Sequence, residues 1–414
     1  MNNKLEQNPF LSNTFKTVWA KHFCKQLPVN FDFIKDLDFY KVKGWPLYIN
    51  IGKNLTKGVS YILNQDTATN NKNTYLIYDI PEYFNVNPKN ERLLKINKVK
   101  QYQGFLINLK QYDNFTDYSN KMFSKSRNKK LQYYNNRLEM CFNISQKMLM
   151  GYVDQQEYDY IFNCFHKLLI RRFNDKETIN NNLESKEWVF YQEVVCQLIL
   201  ENKAGLHIIY NNNTPISITL LYFSDTIVFD AIPTFDIDYA KFNLGKISIK
   251  KVLEWCFENN YETFDFSKGY FTYKEEWSDL KYYFEYHVLY NPKSLISTTT
   301  ANAITRYFKL KQFLRDKKLN EKLHKVNFIF NNKSKKIKPN KMLNTVKVDD
   351  FCITKNSMTE INLFEDQNTF LRKYIFDFLF LEKEHVDNIK VYNYKSGDSS
   401  RYLVKTDKKS IVLG

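Results

Sequence analysis

The chain has 414 residues, 43% hydrophobic and 17% aromatic, which is enough to bury a sizeable core and excludes a globally disordered chain. Its formal net charge of +16 favours anionic partners, whether nucleic acid, an acidic membrane surface or a phosphate-rich ligand. The six cysteines are scattered with no C-x-x-C pair, which argues against zinc fingers and disulfide scaffolds and fits a reducing cytosol.

In chain order, the N-terminus MNNKLEQNPFLSNTF lacks a basic region followed by an apolar run, so no signal peptide is expected. Residues 8–24 read as a turn and a helix, with Asn13 or Ser12 as cap and Phe15, Val18, Trp19, His22 and Phe23 at helical spacing. The runs WPLYINIG, GVSYIL, NTYLIYDIP and GFLINL read as short strands. They complete a mixed α/β unit over residues 1–112 in which no chemistry is visible.

A basic helical block follows over Tyr118–Arg137. Asp154-Gln-Gln-Glu157 resembles a capping box ahead of Tyr158, Ile161, Phe162, Phe165, Leu168, Leu169 and Phe173, which keep a helical period. A further helix runs around Lys186–Asn202 and is expected to end at Ala204-Gly205. HIIYNNN, TPISITLLYF and TIVFDAIPTF then read as an antiparallel meander. NLGKISIKKVLEWCFENN reads as a crossover helix, FDFSKG as a strand, and KYYFEYHVLY as a closing strand. This is an α/β (α+β) layout for residues 113–300. From Arg306 to Lys341 thirteen Lys/Arg face two acids. That run reads either as a solvated helix face with a linker (301–345) or as an electrostatic patch. Residues 346–414 read as a small α/β subdomain with a hairpin turn at Ser396-Gly397-Asp398. The apolar stretch near Tyr374–Leu381 carries Asp377 and is too short to span a bilayer.

No two of the ten glycines lie within three residues of each other, which excludes a G-x-G-x-x-G loop, and none are five apart, which excludes a Walker A loop. H-E-x-x-H and G-x-S-x-G are absent, and no metal site is expected. His207 and His287 sit in expected strands and read as core or surface residues. Asn243-Leu-Gly245-Lys246-Ile-Ser248 stands between a strand and a helix. The stretch reads either as a pyrophosphate site on the free backbone N–H groups of a helix start, or as an ordinary helix entry with Asn243 as cap.

Three stretches together resemble a known family. SKSRNKKLQYYNNRLE (124–139), IIYNNNTPISITLLYF and, most specifically, FDAIPTFDIDYAKFNLGKISIKKVLEWCFENNYETFDFSKGYFTYKEEW follow the order of the BioF2-like, CelD-type branch of GNAT acyltransferases, distant relatives of FemAB aminoacyltransferases. NPFLS at 8–12 is similar to that family's opening motif. The resemblance covers about residues 115–285. It implies a GNAT fold in two tandem halves and transfer of an acyl group from acetyl-CoA or another acyl-CoA. The acceptor implied is an amine or hydroxyl of a sugar or cell-envelope precursor. The donor pyrophosphate would lie at Asn243, Gly245, Lys246 and Ser248, and its pantetheine along Asp230, Ala231 and Ile232. Asp265, Lys268, Tyr273 and Lys274 would line the acceptor side, with Tyr273 returning a proton to the thiolate. One departure is that only Gly245 stands where GNAT phosphate loops often carry two glycines. Two rivals remain: a FemAB-like enzyme using aminoacyl-tRNA, and a non-catalytic anion-binding protein on the same fold. A cytoplasmic location is expected.

Overall fold

The computed structural model describes residues 8–64, 72–88, 90–176, 183–317, 345–347, 358–396, 399–406 and 409–414. The N-terminal half begins with a 3-10 turn (Pro9–Leu11) and α1 (Asn13–Phe23), whose first turn is capped by Ser12. Strands β1 (Val29–Phe31), β2 (Ile34–Lys41), β3 (Leu47–Asn50), β4 (Ile62–Leu63), β5 (Thr74–Pro81) and β6 (Lys95–Asn108) follow. GVSYIL is mostly a buried loop instead of the expected strand, with only Ile62 and Leu63 in β4.

The basic helical block consists of two helices, α2 (Phe115–Met122) and α3 (Lys125–Cys141). Phe123 breaks them in extended conformation, and Ser124 caps the second by accepting from the Arg127 amide. After β7 (Ile144–Leu149) comes α4 (Gln155–Asp175), where Asp154 accepts from the amides of Gln156 and Glu157. α5 (Ser185–Leu200) does not use Gly205 as its stop. Asn202 takes the left-handed conformation there, and Gly205 already belongs to β8 (Ala204–Asn211).

β8, β9 (Thr214–Phe223) and β10 (Ile227–Phe235) form the expected antiparallel meander. α6 (Leu244–Glu258) then crosses to β11 (Thr263–Lys268), which runs parallel to β10. α7 (Thr272–Trp277) and β12 (Leu280–Tyr290) complete the second half, and α8 (Leu295–Asp316) runs on across residue 300. Most of the basic run beyond α8 lies outside the described residues, as do Gly397 and Asp398 of the expected hairpin turn.

Twelve strands make one sheet in the order β1-β2-β3-β5-β12-β6-β11-β10-β9-β8-β7, with β4 paired to β2. The halves interlock. β12, from the second half, inserts between β5 and β6, and β6, from the first, inserts between β12 and β11. A cut near residue 112 therefore separates strands that share hydrogen bonds. Side chains alternate across the sheet. Ile218, Leu220 and Tyr222 face a core shared with α1, α4 and α5. Leu221, Phe223, Val228, Phe264 and Phe266 face one shared with α2 and α6.

The tail forms a five-stranded sheet of β13 (Thr345–Lys347), β14 (Met358–Glu360), β15 (Lys390–Ser396), β16 (Ser399–Lys405) and β17 (Ser410–Leu413), with α9 (Thr369–Glu382). α9 shares a core with α3 and the start of α6. Phe376 packs on Phe142 and Tyr239, and Phe380 on Phe242. Among the described residues no helix is long and apolar enough to cross a membrane.

Candidate functional site

β10 and β11 are paired only over Ile227–Phe229 and Thr263–Asp265. Two local features part them. In β10, Ala231 is the extra residue of a β-bulge against β9, between Asp230 and Ile232. In β11, the register breaks after Asp265, and Ser267 takes a left-handed φ of 60°. The peptide groups of β10 beyond Asp230 thus have no strand partner on the β11 side. From β11, among the described residues, the Ser267 hydroxyl reaches back and donates to the Asp230 carbonyl at 3.2 Å.

A cavity of about 270 Å³ lies at this parting. Its wall includes Asp230, Asn243, Gly245, Lys246, Ser248 and Tyr273. So six of the residues singled out in the sequence meet in one place. Ala231 and Ile232 lie on the adjoining strand outside the wall. The turn after β10 is fixed by Arg171 on α4, which donates to Asp236 at 2.7 Å and to both oxygens of Asp238 at 2.8 and 2.6 Å. That clamp sets where α6 begins. Asn243, at φ 55°, accepts at its carbonyl from the amides of Lys246 and Ile247. The amides of Leu244 and Gly245 have no acceptor among the described residues. Two N–H groups and the positive end of a 15-residue helix thus face the cavity.

Gly245 serves packing here. A Cβ on it would stand 2.7 Å from the Phe235 ring. The Lys246 ammonium is half-exposed, with Glu276 at 3.8 Å. Ser248 is buried and its hydroxyl accepts from Ser217 at 3.0 Å.

Asp230 is buried, and its Oδ1 has no hydrogen-bond partner among the described residues. Burial pushes its carboxyl up to about 6, against the pull of Lys274, Lys57 and Arg172. Tyr273 is held well above the ordinary phenol range, chiefly by burial and then by Asp230. It therefore stays protonated, and its hydroxyl has no partner among the described residues.

The other expected site residues are turned elsewhere. Asp265 is fully buried and accepts from Tyr282 at 2.6 and 2.7 Å, Tyr83 at 2.8 Å and the Ser267 amide at 2.7 Å. Its carboxyl is raised by burial to about 6. Lys268 donates to Asp79 at 2.8 Å and to the Asn54 carbonyl at 3.1 Å. Lys274 curls under its own loop and donates to the carbonyls of Phe266, Ser267 and Lys268 at 2.6, 3.4 and 3.2 Å. Asp265, Lys268 and Lys274 thus spend their hydrogen bonds within the protein and do not line the cavity. These three hold the loop where β11 leaves the sheet.

Residues not singled out in the sequence complete the site. Arg172 lines the cavity, donates to the Pro233 carbonyl at 2.9 Å and lies 4.4 Å over the Phe235 ring, and its Nε is unpartnered among the described residues. Its signal was present: Phe165, Leu169 and Arg172 share one helical stripe, so an arginine stands where the period calls for an apolar residue. Lys57, Asp79 and Tyr83 stand outside the cavity wall and come from the N-terminal half, where the sequence showed no chemistry; Asp79 and Tyr83 bond Lys268 and Asp265. Asp79 is the one acid in a wholly buried strand, with φ 65°. Among the described residues no group of three or more His, Cys, Asp or Glu could hold a metal ion.

Residues 152–275 match the family model described as Acetyltransferase (GNAT) domain, a stretch that contains the whole cavity wall. Similar solved structures include a conserved protein of unknown function from Bacteroides thetaiotaomicron VPI-5482, at 9% identity and TM-score 0.44, covering 68% of this chain and 91% of that one. FemX is similar at 10% identity and TM-score 0.43, over 61% of this chain and 83% of that one. A tandem GNAT protein from the clavulanic acid biosynthesis pathway is similar at 6% identity and TM-score 0.34, over 61% and 77%. No curated protein sequence matches the chain.

Proposed function

We propose that this chain is an acyl-CoA-dependent N-acyltransferase of the BioF2-like kind, acting on an amine acceptor. The observation that carries the reading is the cavity itself. The parted ends of β10 and β11, the free amides of Leu244 and Gly245, Asp230 and Tyr273 all border it.

The helix start, Lys246 and Arg172 supply charge for a pyrophosphate. The unpaired edge of β10 beyond the bulge offers peptide groups to a pantetheine chain and to the developing oxyanion. The thioester contributes an activated carbonyl. In the transfer the acceptor nitrogen forms a C–N bond and the C–S bond breaks. Asp230 takes the proton released by the nitrogen, and an acid held near 6 is suited to that work at neutral pH. Tyr273 gives its proton to the departing thiolate and recovers one from water.

Calorimetric titration with acetyl-CoA and with CoA tests the reading. Wild type is expected to bind both at micromolar concentration. Lys246→Glu and Arg172→Met are each expected to weaken binding at least tenfold. Gly245 is unsuited to the test, because any side chain there strikes Phe235 before it meets a ligand. No binding of either compound by wild type would overturn the acyl-CoA reading, and aminoacyl-tRNA would be titrated next.

A further inference from the structure

Lys57 is a buried lysine with nothing to hold. Its residue is 9% exposed, and its ammonium has no hydrogen bond or ion pair among the described residues. Its backbone is pinned on both sides. Thr56 donates its hydroxyl to Asp79 at 2.9 Å, the Val59 amide donates to the Asp79 carbonyl, and Asn8 donates to the Gly58 carbonyl at 2.8 Å. Gly58 itself sits against the Phe229 ring, one residue before Asp230. The charged groups that face Lys57 are Lys268, Lys274, Asp79, Asp230 and, on α5, Glu187. Among these, Lys268 and Asp79 are paired with each other, and Lys274 is spent on three carbonyls. Asp230 keeps an unpartnered oxygen. Two groups of opposite sign, one from each half, are thus left without a bond, and of the two the Asp230 oxygen is the one sealed from solvent. A buried polar group of that kind costs stability unless something fills its valence.

We propose that Lys57 and Asp230 bracket the acyl acceptor, and that the acceptor is an amine that also carries a carboxylate or phosphate, the anionic group on Lys57 and the amine toward Asp230. This rests on the acyl-transfer reading above and extends it to the substrate class. The donor enters along α6 and the acceptor from the N-terminal half, so the interlocked strands bring the two binding surfaces together. Burial and the neighbouring lysines lower the Lys57 ammonium to about 7, which an arriving anion reverses.

Saturation-transfer NMR on the full chain, with and without CoA, reads the subsite directly with β-alanine, O-phosphoethanolamine and ethanolamine as probes. At pH 6, transfer is expected to at least one anionic probe and at least fivefold less to ethanolamine. Comparing β-alanine with O-phosphoethanolamine tells carboxylate from phosphate. Lys57→Met is expected to remove the effect at least tenfold, and Lys57→Arg to retain it. Wild-type affinity is expected to fall at least tenfold between pH 6 and 9, and Lys57→Arg, which stays charged across that window, is expected to lose the fall, which decides the matter should Lys57→Met fail to fold. No transfer to either anionic probe, or transfer indifferent to Lys57→Met and to pH, overturns the proposal. CoA affinity is measured separately. Its absence with anion binding intact would sink the acyl-CoA reading and leave the anion subsite standing.

Discussion

The Lys268 ammonium donates at 2.8 Å to the fully buried carboxylate of Asp79, joining β11 of the second half to β5 of the first. Asp79 also accepts from Thr56 and Gln101, both at 2.9 Å. Removing the cation would strand a buried anion. Lys268→Met is expected to cost about 3–5 kcal/mol in urea unfolding. Adding Asp79→Asn should return a large part of that loss. A single variant as stable as wild type would show that water reaches Asp79.

The Phe235 ring fills the space a Cβ on Gly245 would take, at 2.7 Å. Gly245→Ala is expected to destabilise by about 1–3 kcal/mol through overpacking. The double variant with Phe235→Leu should be milder than the sum of the two singles. If Gly245→Ala instead leaves the melting temperature alone and only weakens CoA binding, the glycine is there for the ligand.

Asp230 titrates higher in the fold than in the unfolded chain, about 6 against 3.8. The folded state therefore holds this proton more tightly, and the resulting stability is present below pH 3.8 and lost as pH rises through 6. Asp230→Asn is expected to stabilise the chain by about 2 kcal/mol at pH 8 and by nothing near pH 4. An equal effect at both pH values would mean that charge is not what the substitution removes.

Tyr273 keeps its proton and borders the same cavity as Asp230. Tyr273→Phe is expected to lower thiol release from acetyl-CoA, with β-alanine as acceptor, by about 10²-fold. Acetyl-CoA affinity in calorimetry should stay within about twofold of wild type. A matching loss of affinity would assign the hydroxyl to donor binding.

Local rules made much of the second half legible. The alternation in TPISITLLYF, the period of α6 and the Asp154 cap each depend on a few neighbouring residues, and each appears in the fold. The same rules misplaced the end of α5, because Asn202 can adopt the left-handed conformation that glycine usually supplies. Within the basic block the break between α2 and α3 rests on the Ser124 cap, a short-range signal set inside a basic run.

What the sequence determined by itself was the order of helices and strands, the acid at Asp230 and the helix start at Asn243–Ser248, all set by periodicity and spacing within about 50 residues. Only the tertiary structure decided what stands opposite them. The loop that carries Lys57 meets β10 through Gly58 and the Phe229 ring, and Lys268 meets Asp79 across 189 positions. Those meetings exist because β6 and β12 exchange places between the halves. Strand exchange is settled by the total hydrogen bonding and burial of the assembled sheet, a sum that no local pattern carries.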